Sequence, residues 1–524
     1  MSGERESCQL LDLPSELLAR IAGSLHPYDI RAVSETCRPM HVITKLKEVW
    51  LSAARRICYE SNVFEPTFEL PAMDVCQLDR IATAPRRFMR LLADGRPYDL
   101  LSSVTARAVS LKAPHGVPCL APDDGFRRVW LVPGGRFMVA QSKRHIHIWD
   151  LGSWLYSVPE KIPSRRRQLY WANTRELLGI PASEDDDRVW LNDCHQSEDA
   201  MSLLFTMQQQ CDAEGEGGHK YWKLFVLRAR FTEAPGSDDN GASAWNVDVR
   251  VLSCLQIPRD ALTSSFTVRK VDDAITVVST KSEIFIWRYN HASVAYWPSY
   301  AVGELSELTR IQAVHVTPDY VVCAHDSAIL TYRIPEFRPA DSMESWRRSL
   351  LEPCQVSRLA RDLAIWTSPR PWHLAQAAQT ISKTLEQFSL SEGITRYNVV
   401  QNAETEPEVR YVERGYVGTK LGFEDDPAFE DLCNMGAYLP GLDPCDGNGA
   451  VCLYQNAPHQ VMALAYGGGR QLACAAIPMH AVHTSYRASL RTWSMCPSSG
   501  RLCYASAQGP RKVMILDFLP SSNA

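Results

Sequence analysis

"VPGGRFMVAQSKRHIHIWD", residues 132–150, opens on the turn dipeptides Pro133-Gly134 and Gly134-Gly135 and closes on Trp149-Asp150. Between them lie apolar, β-branched and aromatic residues in short runs, the pattern of strands joined by tight turns. From about residue 103 the same texture recurs: "HKYWKLFVLRARF", "WNVDVRVLSCLQI", "AITVVSTKSEIFIWRYN", "RIQAVHVTPDYVVCAHDSAILTYRI", "RQLACAAI" and "VMILDFL". Period-2 alternation in these segments predicts many antiparallel strands.

The punctuation repeats as well. "IHIWDLG" ends at residue 152, "IFIWRYN" at 290, "AILTYRI" at 334 and "VMILDFL" at 519, each an apolar strand that ends near a charged residue. Trp287 and Tyr332 are 45 residues apart, and Trp149 to Trp287 is 138, close to three such steps. Blades of β-propellers recur at about that period, so the roughly 415 residues after 103 predict six to eight blades, with seven favoured. The segment ending at Trp149-Asp150 is similar to one WD-type repeat. Most copies lack the Trp-Asp pair, so the repeats are degenerate. Paired β-sandwiches are the competing all-β fold.

Two stretches break the rhythm. "PWHLAQAAQTISKTLEQFSL" spaces Leu374, Ile381, Leu385 and Phe388 as a helix would, which predicts a helical insertion near 372–390. The acidic stretch 403–432 and "SEDDDR" at 183–188 read as solvated loops.

The N-terminal part is helical. Asp12 is a candidate cap before Pro14, and Leu13, Leu17, Ile21 and Leu25 recur every four residues with Leu18 widening the stripe. Gly23, His26 and Pro27 mark the end of that helix. A second helix opens at Asp29, carries Ile30, Val33 and Cys37, and closes at Pro39; "MHVITKLKEVWLSAARRI" predicts a third. Residues 59–70 read as an extended connection. "MDVCQLDRIATAPRRFMRLLAD" follows as two helical pieces, capped by Asp74 and divided at Pro85. Three short helices in about 50 residues bury too little surface to stand alone, so they lean on another surface.

The order Leu13-Pro14, Glu16-Leu17-Leu18, Ile21, Leu25, Asp29-Ile30, Val33-Ser34, Cys37 and Trp50 resembles the F-box, the motif that docks onto the Skp-type adaptor of SCF ubiquitin ligases. The resemblance covers residues 10 to about 57. It implies that Leu13, Pro14, Leu17, Leu18, Ile21, Leu25, Ile30, Val33, Cys37 and Trp50 serve the adaptor interface, some of them by holding the helices together. It further implies a non-catalytic substrate receptor of a cullin-RING ligase, with a protein target bound by the propeller. The fold class expected is therefore a multidomain α plus all-β chain: F-box over 1–57, helical linker over 58–102, propeller over 103–524. The alternative is a propeller scaffold for protein assembly with the N-terminal helices as a structural cap.

Composition agrees with a non-enzymatic receptor. A net charge of −5 supplies no field for a nucleic acid or membrane partner, and no apolar run approaches a bilayer span. The 16 cysteines are scattered with no C-x-x-C, as in reduced proteins of the cytoplasm or nucleus. No P-loop, G-x-S-x-G, dinucleotide fingerprint or H-E-x-x-H is present, and no cofactor is called for. His145 and His147 share a strand face, where packing beside Trp149 fits better than metal ligation without a third ligand. Gly467-Gly468-Gly469 reads as a tight turn, Arg165-Arg166-Arg167 as a solvated loop, and the seven-residue spacings of Cys445/Cys452 and Cys496/Cys503 suit no zinc site.

Overall fold

The computed structural model describes residues 10–61 and 63–94 and, between 105 and 519, the strands named below with the short turns at 132–136, 143–144, 151–152, 174–181, 197–201, 273–275, 289–292, 334–337 and 498–500, and a few single residues beside them. The helical part consists of α1 (Ser15–Ser24), α2 (Pro27–Ser34), α3 (Arg38–Thr44), α4 (Lys47–Glu60) and α5 (Val75–Asp94). Pro27 and Pro39 begin helices rather than end them, because the first turn has no use for the N–H that proline lacks. The third expected helix is two, α3 and α4. Pro14 occupies the cap position of α1, where Asp12 was expected, and His26 Nδ1 accepts from Tyr28 N at 3.3 Å to cap α2.

Asp74 does cap α5. Asp74 N donates to Gln77 Oε1 at 2.9 Å and Gln77 N donates to Asp74 Oδ1 at 2.8 Å, a reciprocal capping box. Pro85 lies inside α5 without dividing it. An interior proline costs about 3 kcal/mol. Here Leu78 and Ile81 before it and Phe88 after it are buried in one core, which holds both halves in line. The extended connection expected over 59–70 is replaced by the end of α4 and two short 3-10 turns, Glu65–Thr67 and Leu70–Ala72.

The described strands form seven antiparallel sheets. β1 (Thr105–Ser110) comes first and pairs last. Sheet 1 is β2 (Phe126–Leu131), β3 (Phe137–Ser142), β4 (His145–Asp150) and β5 (Arg167–Asn173). After the short α6 (Thr174–Leu178), sheet 2 is β6 (Val189–Gln196), β7 (Ser202–Cys211), β8 (Tyr221–Glu233) and β9 (Trp245–Pro258). Sheet 3 is β10 (Thr267–Val271), β11 (Thr276–Ser279), β12 (Glu283–Arg288) and β13 (Ser293–Pro298). Sheet 4 is β14 (Ile311–Val316), β15 (Tyr320–His325) and β16 (Ala328–Arg333), then, past the short β17 (Arg338–Pro339) that returns to pair with β13, β18 (Gln355–Arg358). Sheet 5 is β19 (Ile365–Thr367), β20 (Thr380–Ser389), β21 (Gly393–Asn402) and β22 (Glu408–Gly415). Sheet 6 is β23 (Ala437–Leu439), β24 (Ala450–Ala457), β25 (Gln460–Tyr466) and β26 (Ala473–Pro478). Sheet 7 is β27 (Trp493–Cys496), β28 (Arg501–Ala505) and β29 (Lys512–Asp517), completed by β1.

Neighbouring residues of one strand feed different cores. Met138 and Ala140 of β3 pack toward Cys503 and Ile515 of sheet 7, while Phe137 and Val139 pack toward Phe205 and Leu227 of sheet 2. In β11, Val278 joins Phe285 against Leu224 and Val226 of sheet 2, and Val277 faces Val321 and Cys323 of sheet 4. A sheet covered on both faces needs apolar side chains at both parities, which is why all six residues of β3 are buried. Sheets 7, 1, 2, 3 and 4 stack face to face in that order, and the first strand completes the last sheet, which is β-propeller architecture. The helical insertion expected near 372–390 is not a helix over its described part. Thr380–Ser389 is β20, paired with β21 over ten residues from Thr380↔Asn402 to Ser389↔Gly393. Ile381 and Leu385 satisfy a spacing of four in either structure, and the β-branched Thr380, Ile381 and Thr384 favour the strand.

Helices and sheets share a core. Leu78, Ile81 and Phe88 of α5 pack with Leu502, Leu516 and Phe518 of sheet 7 and its exit, and the Phe88 and Phe518 rings meet edge to face at 6.0 Å. Phe64, fully buried, lies 5.9 Å from the Phe137 ring of sheet 1 and 4.9 Å from the Phe231 ring of sheet 2. Phe64 N donates to Pro133 O at 3.0 Å. Glycine is required where the two parts touch: Gly134 has φ +99°, and a Cβ there would lie 2.7 Å from Thr67. Two arginines clasp the same junction. Arg136 grips Asp150 through Nε and Nη2 and donates Nη1 to Pro66 O at 3.2 Å. Arg501, with no exposed surface, donates Nε to Asp517 at 2.6 Å and Nη1 to Gly135 O and Gly152 O, tying sheet 7 to sheet 1.

Phe64→Ala is expected to lower unfolding stability by about 3–5 kcal/mol, whereas Tyr59→Ala, at a side chain 54% exposed, changes it by less than about 0.5 kcal/mol. Urea unfolding followed by tryptophan fluorescence checks both. An unchanged midpoint for Phe64→Ala would mean that the connection is not anchored in the sheets.

Candidate interaction face of the helical module

The ten residues expected at a partner interface separate by burial. Leu18, Ile30 and Trp50 are 3%, 0% and 6% exposed, so these three lie in the helical core. Trp50 also spends its indole N–H on Thr44 O at 2.8 Å. Leu13, Leu25, Val33 and Cys37 are partly buried against the same core. Pro14, Leu17 and Ile21 remain exposed, the two aliphatic side chains at 43% and 39%.

Helical geometry explains the division. Leu18, Ala19, Ala22 and Gly23 turn toward α4, where small residues let the two helices approach; a Cβ at Gly23 would lie 3.2 Å from Ser52 Cβ. Pro14, Leu17 and Ile21 follow one another at three and four residues on the adjoining stripe. α3, packed against α1, adds Val42 at 64% exposure, and Leu46 follows at 41%. Leu10 and Leu11, before α1, are exposed as well. An accumulation of exposed leucine, isoleucine and valine on one small module is a feature of protein contact surfaces. Sequence periodicity did not single out Val42, which falls in a segment read as one continuous helix.

The face is held in place from behind. Arg56 of α4 donates Nη1 to Ser24 O at 2.5 Å and Nη2 to Leu25 O, capping the carbonyl end of α1 with a positive charge. Lys47 Nζ donates to Pro71 O at 2.7 Å. Arg31 and Asp79 form a two-point ion pair between α2 and α5.

Other candidates resolve as packing or fall outside the described residues. The His145 ring stacks on Trp171 at 4.7 Å, and His147 is buried with Nδ1 3.1 Å from Gln168 Nε2 and its ring against Phe126. Among the described residues no cluster of three His, Cys, Asp or Glu side chains has metal-binding geometry. Cys496 and Cys503 are buried thiols on paired strands. Burial pushes the Cys58 thiol up to about 12 and, against the pull of Lys223, the Cys254 thiol up to about 11, away from nucleophile activation. Arg165, Arg166, Gly467–Gly469, Cys445 and the acidic run 183–188 lie outside the described residues. No described helix is long and apolar enough to cross a membrane.

No family model and no curated protein matches the chain. Among solved structures it is similar to the WD40 domain of SCAP from fission yeast, with 9% identity, TM-score 0.31, and coverage of 75% of this chain and 84% of that one. It is also similar to the Neurospora crassa Pan2 WD40 domain, with 8% identity, TM-score 0.34 and coverage of 80% and 96%. A Trypanosoma rangeli sialidase follows at 7% identity, TM-score 0.35 and coverage of 79% and 58%. The propeller assignment rests on the chain's own stacked sheets and on the pairing of β1 with β29.

Two outcomes follow from the burial pattern and the thiols. Leu17→Asp with Ile21→Asp should leave the melting temperature within about 2 °C, while Leu18→Asp, an unpaired charge in the core, should unfold the module. Circular dichroism distinguishes them. In thiol labelling at pH 8, Cys58 should react far more slowly than the exposed Cys76, and its rate should rise about tenfold per pH unit, since only thiolate reacts and pH 8 lies well below its pKa. Equal rates at pH 8 would contradict the burial.

Proposed function

We propose that this chain is the substrate receptor of an SCF-type cullin-RING ubiquitin ligase. The F-box-like helices dock the Skp-type adaptor through the exposed face of Leu17, Ile21, Val42 and Leu46, and the seven sheets form seven blades that hold a protein target. The observation that carries this reading is the connection between the two parts: the core beneath the exposed face continues through α5 into sheet 7. The receptor itself makes and breaks no bond. Its contribution is to fix a target lysine near a charged conjugating enzyme, where holding two reactants in geometry replaces a bimolecular encounter. A flexible tether would dilute that effect; a shared core preserves it. Such a receptor works in the cytoplasm or nucleus, and the reading requires no cofactor, nucleic acid or membrane.

The shared core also favours a second reading, in which the helices cap a scaffold propeller that assembles other proteins without ubiquitin. Removing residues 1–57 would strip buried surface from α5 under either reading, so truncation does not separate them. Substitutions on the exposed face do. The intact chain should capture the adaptor and cullin in a pull-down, and the Leu17→Asp, Ile21→Asp variant, folded as the wild type, should lose both. If the intact chain captures neither, the cap reading replaces the receptor.

A further inference from the structure

The exposed stripe of Leu17, Ile21, Val42 and Leu46 has a basic flank. In α3, Met40, Ile43 and Thr44 are buried, so Arg38, Val42 and Lys45, four and three residues apart, share the opposite side. All three are exposed, Val42 at 64%. Residues 36–47 contain Arg38, Lys45 and Lys47 and no aspartate or glutamate, a local excess of positive charge in a chain whose net charge is −5. On α1, the exposed Glu16 and Arg20 offset each other beside Leu17 and Ile21, so α3 sets the sign of the face.

Three other cations of the module are spent within the chain. Arg31 holds Asp79, Lys47 Nζ donates to Pro71 O at 2.7 Å, and Arg56 caps α1. Among the described residues no side-chain hydrogen bond or ion pair reaches Arg38 or Lys45. His41, between them in sequence, has Nδ1 3.2 Å from Ser34 O. Two unpaired cations beside an apolar side chain repel a second basic surface and attract an acidic one. Covering them with apolar surface alone would cost their hydration without replacing it. The complement of this face is therefore a surface that is apolar at its centre and carries carboxylates where α3 lands. An anionic membrane also offers apolar and acidic groups. It is disfavoured because the exposed side chains come from short separate segments and, among the described residues, include no tryptophan or phenylalanine.

We infer that the protein docked by this face carries carboxylates along the rim that receives Arg38 and Lys45. The inference rests on the receptor reading, with the Skp-type adaptor as that protein. The test is surface plasmon resonance of the full chain over immobilised adaptor at about 50 mM and about 500 mM salt, since the higher concentration screens exposed charges. At the lower salt the Arg38→Gln, Lys45→Gln variant should bind at least about fivefold more weakly than wild type, and at the higher within about twofold of it. The Arg230→Gln, Arg333→Gln control, exposed arginines of β8 and β16 with the same charge change, should stay within about twofold of wild type at both. Arg38→Lys, which keeps the charge, should bind as the wild type does. Undiminished low-salt binding by the first pair, a loss equal at both salts, or an equal loss in the control would overturn the inference and leave the receptor reading in place. No binding by the wild type would remove both. Cosedimentation with phosphatidylserine vesicles that the first pair abolishes would reassign the face to a membrane and overturn the inference as well.

Discussion

Six residue pairs between β1 and β29, from Thr105↔Asp517 to Ser110↔Lys512, join the beginning of the sheet region to its last strand. The rest of the molecule depends on that seam. Without β1, β29 would be an open edge, and sheet 7 would lose the strand that ties it to the helices' end of the chain. With the seam closed, sheet 7 can offer Leu502, Leu516 and Phe518 to α5. The buried Arg501, paired with Asp517 inside sheet 7, then donates to two turn carbonyls beside sheet 1 and ties the two sheets together.

Because closure and helix docking meet at one place, the helical module is a continuation of the propeller core. Phe64 reaches sheets 1 and 2, and Phe88 reaches the exit of sheet 7. Three aromatic side chains from distant parts of the sequence, Phe64, Phe137 and Phe231, meet with centroids 4.9 to 5.9 Å apart. Such contacts set orientation as well as stability, since a ring tolerates few placements once its edge and face are both engaged. The exposed stripe on α1 is therefore presented at a fixed angle to the sheets.

The strands were legible wherever turn residues bracketed an apolar run, as at Pro133–Gly135 and Trp149-Asp150. Boundaries governed by long-range packing were not. Pro85 signalled a break that the core overrides, and the 380–389 segment carried a spacing shared by helix and strand. Helical periodicity grouped Leu17 with Leu18; only the position of α4 assigns one outward and the other inward. The arginines were hardest to read. Nothing local to Arg136 or Arg501 shows that each closes on an aspartate 14 or 16 residues later, and the pairing of Arg31 with Asp79 exists only once α2 lies against α5.

The β1–β29 seam also imposes an order of assembly. A ribosome releases the helices and β1 about four hundred residues before the strand that β1 needs, so the part of the α5 core that packs on sheet 7 stays uncovered during most of synthesis. Contacts this distant in sequence form slowly and leave apolar surface uncovered meanwhile, which makes the nascent chain a client for chaperones. A message truncated before sheet 7 would yield a module whose inner face is bare. Cellular quality control would then recognise loss of the last strand through damage at the first helices.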